Sequence, residues 1–150
     1  MAVPGKENDA MLKGLHPLLS PPLLAVLAEM GHGDEIAIVD ANFPAASHAR
    51  RLVHAPGIGS PAILEAILTL LPLDGFVACP AAVMTPHEGR PPIIGEFQAL
   101  LNAAEGRDIG IEDVERFHFY QRTAGAYAVV ATGEPRWWGN ILLRKGAFTP

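Results

Sequence analysis

The alternation of apolar and polar residues along the chain predicts four helices. The first follows a capping serine at Ser20 and two prolines, repeats apolar residues at helical spacing from Leu23 to Met30, and is expected to end at Gly31. The remaining three amphipathic helices are predicted over 61–71, from Pro92 to near Gly106, and over 115–124.

Short apolar runs between these helices predict the strands of a sheet. Ile36–Val39 forms the clearest buried strand. Further strands are predicted over 76–84, with Pro80 as an interruption, over 126–132 and over 141–144, with weaker signals at 51–54 and 108–114. Helices that alternate with strands indicate an α/β fold, so we predict a three-layer α/β/α arrangement around a mixed, mostly parallel sheet. The short connection between the last two strands allows them to run antiparallel.

Composition narrows the class of protein. The 150 residues, 49% of them hydrophobic, suffice for one domain over 11–150, and the polar residues 1–10 are expected to form a flexible N-terminal extension. The formal net charge is −5 and no basic cluster occurs, so we expect no nucleic-acid partner. No apolar run approaches the roughly 18 residues that span a bilayer, and no secretory signal is visible, so we expect a cytoplasmic protein without membrane contact.

Two polar residues flank the strand Ile36–Val39 and are candidates for chemistry. His32 lies between two glycines before the strand, and an imidazole suits acid–base work at neutral pH. An equally good interpretation is that His32 caps the preceding helix, whose C-terminal dipole favours a cation. Asp40 follows the strand, where ligands bind in open α/β sheets.

Other motifs carry weaker signals. Gly57, Gly59 and Ala62 match a dinucleotide-binding pattern, but no clear strand precedes them, and Ser60 as the N-cap of the next helix is the simpler interpretation. The histidines, acidic residues and single cysteine show no metal-binding spacing. We therefore expect neither a metal ion nor another cofactor.

Several segments taken together resemble the fucose mutarotase and ribose pyranase family, the RbsD/FucU family, over nearly the whole chain. The segments that carry the resemblance, in order, are Leu27–Asp34 with Asp40 and Phe43-Pro44, Arg116-Phe117 with Phe119-Tyr120, Thr132–Glu134, and Gly139–Leu143 with Lys145-Gly146. The fucose branch fits better than the ribose branch, because Arg116 stands where ribose proteins tend to carry histidine and Gly139 where they carry alanine.

The resemblance implies a function and a set of site residues. His32 takes the place of the family's catalytic proton donor, and Asp40 and Arg116 take the places of its sugar-binding residues. A tyrosine–glycine–asparagine segment of the sugar site falls on Trp138, Gly139 and Asn140. Tryptophan offers a larger apolar face than tyrosine but only a donor N–H, which bears on which sugar binds.

The expected activity is therefore interconversion of the α and β anomers of L-fucose or a related free monosaccharide. The resemblance also implies a homo-oligomer, often a decameric ring, with sites near subunit contacts. The alternatives are a ribose pyranase, which shares the ring-opening step, and a non-catalytic monosaccharide-binding component.

Overall fold

A computed structural model describes residues 12–150, and the extension expected over 1–10 lies outside these described residues. No helix in the described part is long and apolar enough to cross a bilayer. The elements in chain order are α1 (Pro21–Glu29), β1 (Glu35–Val39), a 3-10 turn (Ala46–His48), β2 (Leu52–Ala55), α2 (Ser60–Leu68), β3 (Ala81–Met84), α3 (Pro92–Glu105), β4 (Ile111–Val114), α4 (Arg116–Ala124), β5 (Ala128–Thr132) and β6 (Ile141–Arg144).

The six strands form one mixed sheet in the order β2-β5-β1-β6-β3-β4. Five strands share one direction, and β6 runs opposite to both of its neighbours, β1 and β3. The predicted α/β fold with a mostly parallel sheet is confirmed. The last two strands do run antiparallel, but β1 lies between them: Ala37 of β1 pairs with Val129 of β5 on one side and with Leu142 of β6 on the other.

Alternate residues of the sheet enter two separate cores, as the period of two in a strand requires. Ile36 and Ile38 of β1 pack into a large core that includes residues of α1, α2 and α3. Ala37 and Val39 pack on the other face, against Phe119 of α4 and the segment after β1. The sheet is therefore covered on both faces, which gives the predicted three layers.

Two segments differ from the expectation. The helix α1 is capped by Ser20 as predicted, but it ends at Glu29, and the left-handed residue of the following turn is Gly33, with φ 89°, not Gly31. The strand predicted over 76–84 is present only after Pro80, since proline cannot donate to a sheet ladder. Phe76 is 83% exposed.

The start of α2 corrects the predicted role of Ser60. Gly59 takes the N-cap position and Ser60 is the first residue of the helix, with its hydroxyl buried and without a hydrogen-bond partner among the described residues. The cap comes from a distant residue: Glu134 Oε1 accepts from the Ser60 N–H at 3.2 Å. Local spacing could not reveal this cap, because its carboxylate lies 74 residues along the chain.

Candidate functional site

A cleft of about 410 Å³ opens at the carboxyl end of β1. The start of α4, the end of β3 and the segment before β6 meet there. Its lining comprises polar side chains, four aromatic residues and one methionine: Asp40, Asn42, Phe43, Met84, Arg116, Tyr120, Trp137, Trp138 and Asn140. Volume and lining are typical of a small-molecule site.

Asp40 is the buried acid at the base of the cleft. Its Oδ2 accepts from the Gly139 N–H at 3.2 Å and from Asn140 Nδ2 at 3.1 Å, while Oδ1 accepts from the Asn42 N–H at 3.0 Å. The Asp40 N–H in turn donates to Asn140 Oδ1 at 2.7 Å. Burial raises the pKa of the Asp40 carboxyl, and these hydrogen bonds oppose that rise. The two residues form one rigid unit although 100 positions separate them.

Trp138 forms an apolar part of the cleft lining and has an unusual backbone. It is the one non-glycine residue with positive φ, 67°, in the part of the chain that the structure describes. Such a conformation is rare for a residue with a side chain. The next residue must be glycine, since a Cβ on Gly139 would lie 2.8 Å from Glu134 Cγ. The segment therefore holds the indole ring at the cleft by its backbone geometry.

Arg116 reaches the same cleft from the first residue of α4. The carboxylate of Glu115 caps this helix by accepting from the N–H groups of Phe117 and His118, and these contacts lower the pKa of Glu115. One turn later, Tyr120 accepts from Arg116 Nε at 3.0 Å. No carboxylate of residues 12–150 forms an ion pair with Arg116. Its guanidinium is thus available to a neutral or anionic ligand.

A second recess of about 600 Å³ adjoins the cleft. Arg116 and Trp138 line both spaces, and the recess is otherwise formed by Thr85, Pro86, His87, Glu115 and Phe117. The loop that follows β3 therefore borders the candidate site.

His32 lies at the opposite end of β1, in the turn that precedes the strand. Five residues at about 3.3 Å each place roughly 16 Å of strand between the two ends. The structure therefore brings Asp40, Arg116, Trp138 and Asn140 to one cleft within the chain. Gly139 contacts this cleft through its N–H bond to Asp40, and His32 lies outside it.

The imidazole of His32 contacts a buried carboxylate, and its side chain is 46% exposed. Nε2 lies 3.2 Å from Asp74 Oδ1, and Asp74 Oδ2 accepts from Arg144 Nε at 2.9 Å. The Phe76 N–H, His32 and Arg144 lower the pKa of Asp74 in spite of its burial. His32 therefore belongs to a second polar cluster, and it is the Lys145 ammonium that donates to carbonyls at the end of α1.

Sequence reasoning assigned no site role to several of these residues. Tyr120 carries a usable signal, since it stands four positions after Arg116 on a predicted helix. Asp74 carries none, because it follows a proline in a turn and its partners His32 and Arg144 lie 42 and 70 positions away.

Residues 13–148 match the model of the RbsD / FucU transport protein family. The chain belongs to this family. It is 47% identical over 139 residues to an L-fucose mutarotase from Actinobacillus pleuropneumoniae serotype 5b, covering 91% of this chain and 96% of that protein. It is 48% identical over 146 residues to a fucose mutarotase from Homo sapiens, covering 91% and 94%.

The fold also matches that of a solved fucose mutarotase. The crystal structure of the fucose mutarotase from Streptococcus pneumoniae in complex with L-fucose superposes with a TM-score of 0.87 and 40% identity, covering 92% of this chain and all of that one. The predicted family resemblance is thereby confirmed.

Proposed function

We propose that this protein is an isomerase that interconverts the α and β anomers of L-fucose or a closely related free monosaccharide. The observation that carries the proposal is the convergence of Asp40, Arg116 and Asn140 beside Trp138 in one cleft, in a chain 47% identical to an L-fucose mutarotase. The proposal includes a cytoplasmic location, where a kinase or isomerase would use the anomer that it accepts.

The cleft has the chemistry that a sugar requires. Sugar hydroxyls both donate and accept, and one left unpaired in a buried site costs about 1–3 kcal/mol. Asp40 would accept from hydroxyls, the guanidinium of Arg116 would donate to hydroxyl or ring oxygens, and the Asn140 amide would stabilise Asp40. The face of Trp138 would pack on the apolar face of the sugar ring.

The only catalysis that the reaction needs is the transfer of protons. The C1–O5 bond of the cyclic sugar breaks as O1–H loses its proton and the ring oxygen gains one. The aldehyde then rotates about its first carbon–carbon bond, and the ring recloses on the other face with both protons returned. His32 would donate the proton to one sugar oxygen, and water or a second group would take the other proton. Each well-placed transfer contributes roughly 10²- to 10⁴-fold in rate.

His32 would act in the cleft of a neighbouring subunit. Within one chain the strand β1 separates His32 from Asp40, whereas a neighbouring copy could present its half-exposed His32 beside the Asp40 cleft. The proposal is therefore a homo-oligomer with sites between subunits, for which a closed decameric ring is the expected form.

The test of activity is saturation-transfer NMR on the anomeric protons of L-fucose, D-galactose and D-ribose. We expect exchange above the uncatalysed rate for L-fucose, and loss of that exchange in His32→Ala. Exchange at the buffer rate for every sugar would contradict the proposal. Faster pyranose–furanose exchange of ribose than anomer exchange of fucose would instead assign a pyranase.

The test of the shared site is co-expression of two inactive variants, His32→Ala and Asp40→Asn. In a mixed ring about a quarter of the sites would combine an intact cleft with an intact histidine, so activity should return to about that fraction. Each variant expressed alone serves as the control. No recovery in verified mixed oligomers would show that the two residues act in the same chain.

A further inference from the structure

We propose that Asp74 is a positioning residue that fixes the ring orientation and the tautomer of His32, and that Arg144 holds Asp74 in place. The inference rests on the proposed function, because it assigns the nitrogen through which His32 would exchange a proton with the sugar. It is carried by the cluster at the amino end of β1, away from the sugar cleft.

The Asp74 side chain is almost wholly buried, 2% exposed, and each of its oxygens has a defined partner. Oδ1 lies 3.2 Å from His32 Nε2 and accepts from the Phe76 N–H at 3.0 Å, while Oδ2 accepts from Arg144 Nε at 2.9 Å. The Asp74 N–H also donates to the Arg144 carbonyl at 3.0 Å. Backbone and side chain are therefore both tied to the last residue of β6.

The tautomer of His32 follows from this arrangement. An ionised carboxylate has acceptors only, so the nitrogen that faces it must carry a hydrogen. The contacts of Asp74 with the Phe76 N–H, His32 and Arg144 favour its ionised form, since they lower its pKa. Nε2 therefore carries a hydrogen, and Nδ1 is the atom left for the sugar. Nδ1 would accept a proton from a sugar oxygen when the ring is neutral and donate one when the ring is the imidazolium.

No other charged group of residues 12–150 competes for the His32 ring. Asp34 accepts from the Gly31 N–H at 2.7 Å, and the Lys145 ammonium donates to the carbonyls of Leu27 and Met30. The ring of Phe76 lies beside the imidazole, with centroids 5.6 Å apart. Asp74 is thus the one charged group among the described residues that contacts the ring and can fix its orientation.

The main test is Asp74→Asn. The asparagine amide has one oxygen, whereas three groups contact the carboxylate of Asp74. If that oxygen accepts from Arg144, the NH₂ group faces His32 and requires a bare Nε2, which is the opposite tautomer. We expect kcat for L-fucose anomer exchange to fall at least tenfold with KM nearly unchanged, because the cleft residues are untouched. Asp74→Glu, which keeps the carboxylate, should recover part of kcat. The matched control is Asp113→Asn, which removes an exposed carboxylate from Arg90 and should leave kcat unaltered.

A second measurement determines the tautomer in the wild-type protein and needs no variant of Asp74. Nitrogen-15 NMR of the wild-type protein labelled at histidine, with His32 assigned by its absence in His32→Ala, should show hydrogen on Nε2 and a bare Nδ1 in the neutral ring. The opposite tautomer in the wild type would overturn the inference. So would an unchanged kcat in folded Asp74→Asn. The proposed function is tested separately. It stands if the wild-type protein catalyses anomer exchange and His32→Ala abolishes that activity, and it is refuted if the wild-type protein shows no exchange.

Discussion

The shape of the candidate cleft depends on residues 133–140, a segment that Glu134 connects to the rest of the fold by hydrogen bonds. Glu134 is 2% exposed, and its Oε2 accepts from the Arg136 N–H at 3.1 Å and from Arg136 Nε at 2.9 Å. Its Oε1 accepts from the Ser60 N–H and so caps α2. Glu134→Gln is the sharpest perturbation of this arrangement, because it keeps the shape and removes one acceptor.

The expected cost follows from counting the bonds lost. A glutamine that keeps its oxygen on Ser60 turns its NH₂ toward the two donors of Arg136, and both bonds are lost. At about 1 kcal/mol net for each hydrogen bond, the free energy of unfolding should fall by about 2 kcal/mol. For a domain of this size the melting temperature should fall by about 4–8 °C.

The assay is thermal and urea unfolding of Glu134→Gln beside the control Glu96→Gln. Glu96 pairs with the same Arg136, but both side chains are about half exposed, so its loss should cost less than about 1 kcal/mol. Equal destabilisation by the two variants would refute the reasoning about burial. KM for L-fucose should rise in Glu134→Gln alone, since the displaced segment carries Trp138 and Asn140, and an unchanged KM would refute the role of Glu134 in shaping the cleft.

Three further outcomes are expected. Arg116→Lys should raise KM for L-fucose about tenfold. Lysine replaces the planar set of guanidinium donors by a point charge and loses the hydrogen bond to Tyr120. Exchange kinetics at varied sugar concentration measure this KM. Trp138→Ala should also raise KM, with little effect on His32-dependent kcat; a fall in kcat alone would contradict a packing role. Acid should lower the free energy of unfolding, because the pKa values of Asp74 and Glu134 are lowered in the fold. Their contributions to stability are present above the ordinary carboxyl pKa near 4 and disappear as the pH falls through the lowered values. Urea titrations below pH 5 would detect this loss.

The sequence was informative where a local rule determines position. Ser20 caps α1 and Asp40 follows a buried strand, each as a short-range pattern predicts, whereas β3 is shorter than predicted and begins only after Pro80, at Ala81. Long-range contacts had no such signal. The cap of α2 comes from Glu134 rather than Ser60, because the buried carboxylate meets the first N–H of the helix from another part of the chain.

The candidate site likewise combines residues that a local pattern indicates with residues that only long-range contacts bring there. The strand end indicated Asp40, but only the order of strands in the sheet explains why Asn140 lies against it, 100 positions later. The sequence analysis placed His32 and Asp40 before and after one strand and assigned both to one site, and it is the structure that shows how far apart they lie within the chain. The resemblance supplied their common role, and neither source indicated Asp74, whose importance depends on partners brought together by tertiary packing.

The reversed strand β6 has a mechanical consequence. Asn140, the residue just before β6, donates to the Asp40 carboxylate at one end of the strand. Arg144, the last residue of β6, donates to the Asp74 carboxylate at the other end. All four residues of β6 pair with β1, and the first three, Ile141 to Leu143, pair also with β3, so the strand fixes the distance between the Asp40 cleft and the His32 cluster. In a ring whose sites form between neighbours, one added or deleted residue in β6 would misalign the histidine and the cleft of every subunit at once.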